Sequence, residues 1–129
     1  MAHSPTDRAE PAEPPTPLPD DSVLALEDYL TMQRSIGDPT RFRVLRTLVH
    51  NGDLSAKELE TALDLRGNTL HYHLRELVDV GLVQNRKWKE PNQSGLYSYY
   101  RATTLGEGIL EHGVTELMRR EQDYLEVYS

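Results

Sequence analysis

Two short helical segments, joined by a very short turn and followed at once by a strand pattern, constrain this chain most. Ser55–Glu58 has the spacing of a capping box, in which serine and glutamate satisfy the first free N–H groups of a helix. The break Asp64–Gly67 separates that helix from a second one, Thr69–Val80, for which Asn68 is the predicted N-cap and Gly81 the end. Two short helices joined by a tight turn that contains glycine are typical of a helix-turn-helix motif.

The apolar period changes from about 3.6 to about 2 immediately after the second helix. Leu82–Trp88 and Leu96–Ala102 therefore read as two strands, and the turn-rich segment Lys89–Gly95 connects them. Leu54 is predicted to add one rung of a short strand. A hairpin directly after a helix-turn-helix predicts a winged helix-turn-helix, mainly α with a small β-hairpin (α+β).

Further helices are predicted on both sides of this core. Ser22 is the predicted N-cap of a first helix, and Asp38–Thr40 opens a second one that Asn51–Gly52 ends. A second capping box at Thr104–Glu107 opens a last helix, predicted to run without interruption to about Leu125. Both outer helices are expected to serve dimerisation; the alternative is that both pack on their own domain.

The predicted domains follow from this pattern. Residues 1–20 hold six of the eight prolines and are expected to be a disordered acidic tail. Residues 21–103 form the predicted DNA-binding domain, and residues 104–129 the predicted C-terminal dimerisation helix. The longest apolar run is far shorter than the roughly 20 residues that span a bilayer, so a cytoplasmic protein without a membrane partner is expected.

The net charge of −7 is unevenly distributed. Residues 1–30 carry seven acidic side chains and one basic, residues 31–101 eleven basic and eight acidic, and residues 102–129 six acidic and two basic. A basic middle is the electrostatic footprint expected of a nucleic-acid binder.

The chain has eleven arginines, three lysines and no cysteine, a composition that resembles proteins of halophiles with molar internal salt. Such salt shortens the Debye length to about 3 Å, so distant acidic ends would barely repel DNA.

Four ordered pieces make the chain resemble a known family. Gly37–Leu48, Leu54–Leu59, Thr69–Leu77 and Gly81–Val83 are similar to ArsR-type winged-helix regulators. The long last helix after Tyr100–Gly106 resembles more closely the PadR and MarR relatives. The resemblance implies a homodimer that binds double-stranded DNA with its two recognition helices in successive major grooves.

The chain departs from the metal-sensing branch of that family. Asp53–Ala56 stands where that branch carries cysteines, so metal sensing there is not expected. His71 and His73 lie about 200° apart around a helix and cannot share one ion. His112 and Glu116, four residues apart on the predicted last helix, are weak candidates for an intersubunit zinc site. No cofactor and no enzymatic activity are expected.

The second helix of the motif has two faces when its residues are placed at 100° intervals. Leu70, Leu74 and Leu77 form a core face, with Val78 at its margin. The polar side chains opposite are the candidates for reading bases, because Arg and Asn can bond bidentately to guanine and adenine. These candidates are Asn68, Thr69, His71, Tyr72 and Arg75. The candidates for phosphate contact are Arg66 in the turn and Ser55 and Lys57 on the preceding helix.

The hairpin is predicted to lie on the adjacent minor groove or its phosphates. Its candidate DNA contacts are Arg86, Lys87, Lys89, Gln93, Ser94 and Arg101. Aromatic side chains alternate with them and are interpreted as packing onto the helices. These aromatic residues are Trp88, Tyr97, Tyr99 and Tyr100.

The outer helices carry apolar side chains that a two-fold interface would cover. The candidates are Val23, Leu26, Leu30, Leu110, Leu117, Tyr124, Leu125 and Tyr128. The sequence favours a regulator of a pseudo-palindromic operator. It leaves open a winged-helix protein-interaction module in a transcription or replication assembly, and a metal- or ligand-gated repressor. The operator sequence, the inducing signal and the sense of regulation also stay open.

Overall fold

A computed structural model of the protein describes residues 10–89 and 97–127, with side chains up to residue 125. Within these residues the chain forms helices around one two-stranded sheet, as predicted for a winged helix-turn-helix. The helices are α1 Leu26–Ile36, α2 Pro39–Asn51, α3 Ala56–Leu63, α4 Gly67–Asp79, α5 Thr104–Glu111, α6 Val114–Arg119 and α7 Glu121–Val127. The strands are β1 Val83–Trp88 and β2 Tyr97–Ala102. Residues 10–20 contain neither helix nor strand, and the predicted disorder of the whole tail stays a prediction.

The first helix begins later than predicted, and Ser22 is not its N-cap. The Ser22 hydroxyl donates to the Leu24 carbonyl oxygen at 2.6 Å, so it caps a turn ahead of the helix. The helix begins at Leu26, and the Asp28 carboxylate accepts from the Ala25 N–H at 2.8 Å. The acidic residue in the first turn, rather than the serine, satisfies an N-terminal donor.

The start of α2 confirms its sequence signal. Asp38 Oδ1 accepts from the backbone N–H groups of Thr40 at 2.9 Å and Arg41 at 3.0 Å, and Pro39 is the first helical residue. The helix ends at Asn51, as predicted. Gly52 follows with φ +83°, a backbone conformation that favours glycine.

The capping box before α3 is also confirmed. The Ser55 hydroxyl accepts from the Glu58 N–H at 3.1 Å, and Glu58 Oε1 accepts from the Ser55 N–H at 2.9 Å. The N-cap of α4 was predicted wrongly. Arg66 is the cap residue and Asn68 lies in the first turn, where its Oδ1 accepts from the Thr69 N–H at 2.9 Å.

Helix α4 begins at Gly67, two residues earlier than predicted. A Cβ on Gly67 would lie 2.6 Å from Glu60 Oε1, so a larger residue where α4 approaches α3 would require the Glu60 side chain to move. Gly81, with φ +86°, follows the end of α4 as predicted.

The hairpin has the predicted antiparallel pairing, from Val83 opposite Ala102 to Trp88 opposite Tyr97. Leu54 adds a single bridge to Tyr100, with N–O distances of 3.1 and 2.7 Å, which confirms the predicted extra rung. This hairpin of β1 and β2, which we call the wing, is therefore attached both to the end of α4 and to the residues before α3.

Leucines of α2, α3 and α4 fill the core beneath the hairpin. The fully buried side chains are Val44, Leu45, Leu48, Leu59, Leu70, Leu74, Leu77, Leu82 and Val83. Leu110 of α5 is also buried, at 5% exposure, against this same core. Its predicted place in a dimer interface is therefore wrong, because its own domain already covers it.

The predicted continuous last helix is wrong as well. It is divided into α5, α6 and α7, with breaks at His112–Gly113 and at Arg120. Gly113 has φ −106° and ψ −122°, which no helix contains, and a Cβ there would lie 2.6 Å from the Ile109 carbonyl oxygen. Among the described residues, no helix has the length and apolar character needed to cross a membrane.

Candidate nucleic-acid interface

The polar face of α4 lies open on the surface. Its exposed side chains, which we call the reading face, are Asn68, Thr69, His71, Tyr72 and Arg75. Leu70, Leu74 and Leu77 on the opposite side are at most 1% exposed, so the predicted division of this helix into two faces is confirmed. Contact between the reading face and DNA stays a prediction.

The reading face continues into the root of the wing. A cavity of about 250 Å³ lies between α4 and the hairpin, lined by His71, Arg75, Val78, Asn85 and Tyr100. The Asn85 amide is held in the strand pair by a 2.8 Å hydrogen bond from the Ser98 hydroxyl. Arg75 thus lies at the junction of α4 and the hairpin, where one bound molecule could contact both elements.

The hairpin presents two different faces, because alternate residues of a strand point to opposite sides. Arg86 is paired with Tyr99, and Trp88 with Tyr97, so these four side chains share the outer face. The Trp88 and Tyr97 rings lie 6.4 Å apart and are 50% and 48% exposed. Packing onto the helices, predicted for the wing aromatics, is confirmed for Tyr100 and wrong for Trp88 and Tyr97.

The basic side chains of the wing differ in their partners. Arg86, Lys87 and Lys89 are exposed, and no ion pair involves them among the described residues. Arg101 instead donates to both carboxylate oxygens of Asp53, at 2.8 and 2.7 Å. Gln93 and Ser94, the candidates at the wing tip, lie outside the described residues.

The Asp53–Arg101 pair fixes β2 to the segment before α3. Hydrogen bonds from Arg101 hold the pKa of the Asp53 carboxyl below its ordinary value, and the same contact raises the pKa of Arg101. Sequence reasoning missed this role of Asp53. The one available signal was its position directly before Leu54, the residue that pairs with β2.

The phosphate candidates flank the reading face. Arg66 and Lys57 are exposed, at the starts of α4 and α3 respectively. The Ser55 oxygen and N–H are both used in the capping box, which leaves its hydroxyl hydrogen as the donor for a phosphate.

A buried polar cluster behind α4 was not predicted. His73 is 9% exposed, and its Nδ1 lies 3.3 Å from Arg41 Nη1 and 4.0 Å from Asp38 Oδ1. Arg41 Nε donates to the Ser35 carbonyl oxygen at 2.8 Å. One guanidinium therefore joins the end of α1, the start of α2 and the middle of α4.

The proposed metal ligands do not share a helix. His112 is the residue that ends α5, whereas Glu116 lies in α6 and accepts from Arg119 at 2.8 Å. The assumed spacing within a continuous helix is therefore wrong. Within residues 10–89 and 97–127 no cluster of three or more potential metal ligands occurs. His71 is exposed and His73 buried, which agrees with their predicted separation around α4.

Apolar side chains remain exposed on α1, on the residues just before it and on the C-terminal helices. They include Val23, Leu26, Leu30, Leu117, Tyr124 and Leu125, all predicted for a dimer interface. Tyr128 lies outside the described residues. Between the two groups runs a groove of about 380 Å³, lined on its apolar side by Ile36, Phe42, Ile109, Val114 and Leu117.

The fold and the open polar helix define a winged helix-turn-helix protein. Residues 36–85 match the profile of a helix-turn-helix domain family. The chain therefore contains a helix-turn-helix domain, and its structural neighbours are winged-helix transcriptional regulators of the ArsR and MarR types.

Two solved structures illustrate this fold. A homodimeric winged helix-turn-helix DNA-binding domain from Mycobacterium bovis, a possible ArsR-family regulator, has 20% identity and a TM-score of 0.61, covering 77% of this chain and 85% of that one. A MarR-family transcriptional regulator from Enterococcus faecalis has 18% identity and a TM-score of 0.63, covering 85% of this chain and 97% of that one.

A curated relative is transcription factor E of Ignicoccus hospitalis, 33% identical over 75 residues. The match covers 58% of this chain and only 43% of the relative. The matched proteins are described as transcription factors and transcriptional regulators.

Proposed function

We propose that this chain is a transcription regulator that binds duplex DNA as a homodimer on a pseudo-palindromic operator. The α4 helix enters the major groove, and the hairpin of residues 84–101 lies on the adjacent minor groove or its phosphates. The observation that carries this proposal is the reading face: five exposed polar side chains on the second helix of the motif, backed by buried leucines.

The chemistry of the reading face suits base edges. Asn68 and Arg75 have the donors and acceptors for bidentate contact with adenine and guanine, and Tyr72 offers a ring and a hydroxyl. The N-terminal part of a recognition helix reaches deepest into the groove. We therefore assign the contacts with bases to Asn68, Thr69, His71 and Tyr72. Arg75 contacts either a base or the flanking phosphate.

Charge supports the same assignment. Residues 66–101 contain six basic and three acidic side chains, against a strongly acidic remainder. The available cations on the wing are Arg86, Lys87 and Lys89, whereas Arg101 is engaged by Asp53. We therefore give the first three the phosphate contacts, and Arg101 the task of holding β2 in place.

The dimer is supported by the exposed apolar side chains of α1, α6 and α7. Leu30, Leu117 and Leu125 are 42%, 54% and 57% exposed, and grouped exposed apolar side chains of this kind suit an interface between subunits. The neighbour from Mycobacterium bovis is described as homodimeric. A two-fold axis through this surface would bury it and set two copies of α4 side by side.

A second candidate function is a protein-binding module within a transcription assembly. It is favoured by the similarity to transcription factor E and by the exposed Trp88–Tyr97 pair, which suits a protein partner as well as DNA. The two candidates make opposite predictions for binding to naked duplex DNA.

Fluorescence anisotropy of a labelled random-sequence duplex pool, titrated from about 0.1 M to molar KCl, tests the proposal. The slope of log affinity against log salt falls by about one for each phosphate that the protein no longer neutralises. Arg75→Ala should weaken binding at every salt concentration. Arg46→Ala, an exposed arginine on α2, should leave it unchanged. Failure of the wild-type protein to bind any duplex would favour the protein-binding module instead.

A further inference from the structure

Arg41 is the centre of the buried cluster behind the reading face. Its guanidinium donates to the Ser35 carbonyl oxygen at 2.8 Å and meets His73 Nδ1 at 3.3 Å, and its backbone N–H donates to Asp38 Oδ1 at 3.0 Å. His73 is the single member of this cluster on α4, and it directly follows Tyr72 of the reading face. Among the described residues, His73 thus makes the one side-chain hydrogen bond between α4 and α2, in an interface otherwise filled largely by leucines.

The contact with Arg41 indicates which nitrogen of the His73 imidazole carries the proton. A guanidinium has only donors, so His73 Nδ1 must accept, and the ring proton must lie on Nε2. A second proton on Nδ1 would remove this hydrogen bond and place two cations 3.3 Å apart. Asp38 Oδ1, at 4.0 Å, lies within ion-pair range of a protonated His73 but too far for a hydrogen bond, and it already accepts from two backbone N–H groups. The Tyr72 ring meets the His73 ring edge-on, with the two ring centroids 5.1 Å apart.

We propose that His73 is a positioning residue, and that its neutral, Arg41-bound form holds α4 in the orientation that reads DNA. This inference rests on the proposed function. It adds that sequence selectivity falls in acid, because a protonated His73 releases Arg41 and loosens the helix.

His71 has the opposite expected effect and must be controlled. It is exposed on the reading face, so its protonation would add a positive charge next to the phosphates and strengthen all binding. His71→Gln removes this contribution; because His71 belongs to the reading face, the change should itself alter binding, so it is present in both proteins compared and the duplex is selected with the His71→Gln protein. Asp38 does not confuse the result. Hydrogen bonding to the Arg41 N–H holds the pKa of its carboxyl below the ordinary value of 3.8.

The experiment compares the full-length His71→Gln protein with His71→Gln/His73→Asn from about pH 8 to about pH 5.5. The Asn side-chain oxygen can take the place of Nδ1 as acceptor, and it does not titrate. The measured quantity is the ratio of affinities for a duplex selected by the protein and for an unrelated duplex. Removal of a hydrogen bond to a charged group corresponds to a fall of about tenfold in this ratio. We expect that fall for His71→Gln and a constant ratio for the double variant.

Equal pH profiles in the two proteins would overturn the inference while leaving the proposed function intact. Imidazole ¹⁵N spectra of the free protein provide an independent readout, and we expect an unprotonated Nδ1 on His73 at about pH 8. A proton on Nδ1 there would also overturn the inference. If no duplex is preferred at any pH, the proposed function fails and the inference fails with it, whatever the spectra show for His73.

Discussion

Gly106 lies where the first turn of α5 crosses the backbone at the start of the wing. Thr103, the N-cap of α5, fixes this crossing: its N–H donates to the Leu82 carbonyl oxygen at 3.0 Å and its hydroxyl to the Gly81 carbonyl oxygen at 2.7 Å. A Cβ on Gly106 would overlap the Leu82 carbonyl oxygen and lie 3.2 Å from Leu45 Cδ1. Gly106→Ala therefore tests whether the C-terminal helices pack on the wing root as described.

The size of the effect follows from two opposing contributions. Overpacking a tight site costs about 1–3 kcal/mol, and the upper end applies because the clash is with backbone and not with a flexible side chain. Replacing glycine by alanine within a helix stabilises the folded protein by about 0.5–1 kcal/mol. We expect a net loss of about 2 kcal/mol in the free energy of unfolding, a large part of a typical domain's stability.

Gly108→Ala is the matched control in the same helix. No described heavy atom lies within 4 Å of a Cβ on Gly108, so this change should stabilise the protein by about 0.5–1 kcal/mol. Urea unfolding of both variants, followed by circular dichroism in KCl at one protein concentration, measures the two effects. The reasoning is refuted if Gly106→Ala is as stable as the wild type, or if both variants shift together.

Three further predictions concern charge and assembly. Lys87→Ala should weaken binding to all duplexes equally and lower the salt slope by about one, whereas a change of sequence preference would contradict a phosphate contact. Leu117→Asp should dissociate the dimer in sedimentation experiments while Leu105→Asp, an exposed leucine outside the proposed interface, leaves it assembled. Hydrogen bonds from Arg101 lower the pKa of Asp53 in the folded protein. The Asp53 carboxylate therefore stabilises the fold above the unfolded pKa of 3.8, and this stabilisation disappears as the pH falls through the folded pKa. Asp53→Asn should therefore show a smaller loss of stability than the wild type as the pH is lowered below about 4, and equal losses would refute this.

The features that the sequence predicted correctly depend on neighbouring residues. The Ser55/Glu58 capping box and the Asp38–Pro39 start of α2 involve residues at most three apart, so their geometry follows from local chemistry. The alternation of buried and exposed side chains on α4 is likewise a property of one helix.

The features that it missed depend on distant contacts. Gly67, at the start of α4, approaches Glu60 on another helix, and Arg41 meets His73 across 32 residues. The apolar spacing of the C-terminal segment is compatible with one helix, because a period does not reveal that the backbone turns at Gly113. The packing of Trp88 and Tyr97 was predicted wrongly for a related reason. β-Strand alternation identifies two faces of the hairpin without indicating which one the helices cover.

The central claim is that α4 reads duplex DNA in a two-fold assembly. The most direct test is selection of bound sequences from a random duplex library by the wild-type protein and by Arg75→Ala. Recognition helices of a dimer meet half-sites about one helical turn apart, so we predict an enriched inverted repeat with centres about 10–10.5 base pairs apart. Arg75→Ala should lose or relax the preference at one position of each half-site. Enrichment of no sequence by the wild-type protein would contradict the account and identify the winged helix as a scaffold for a protein partner.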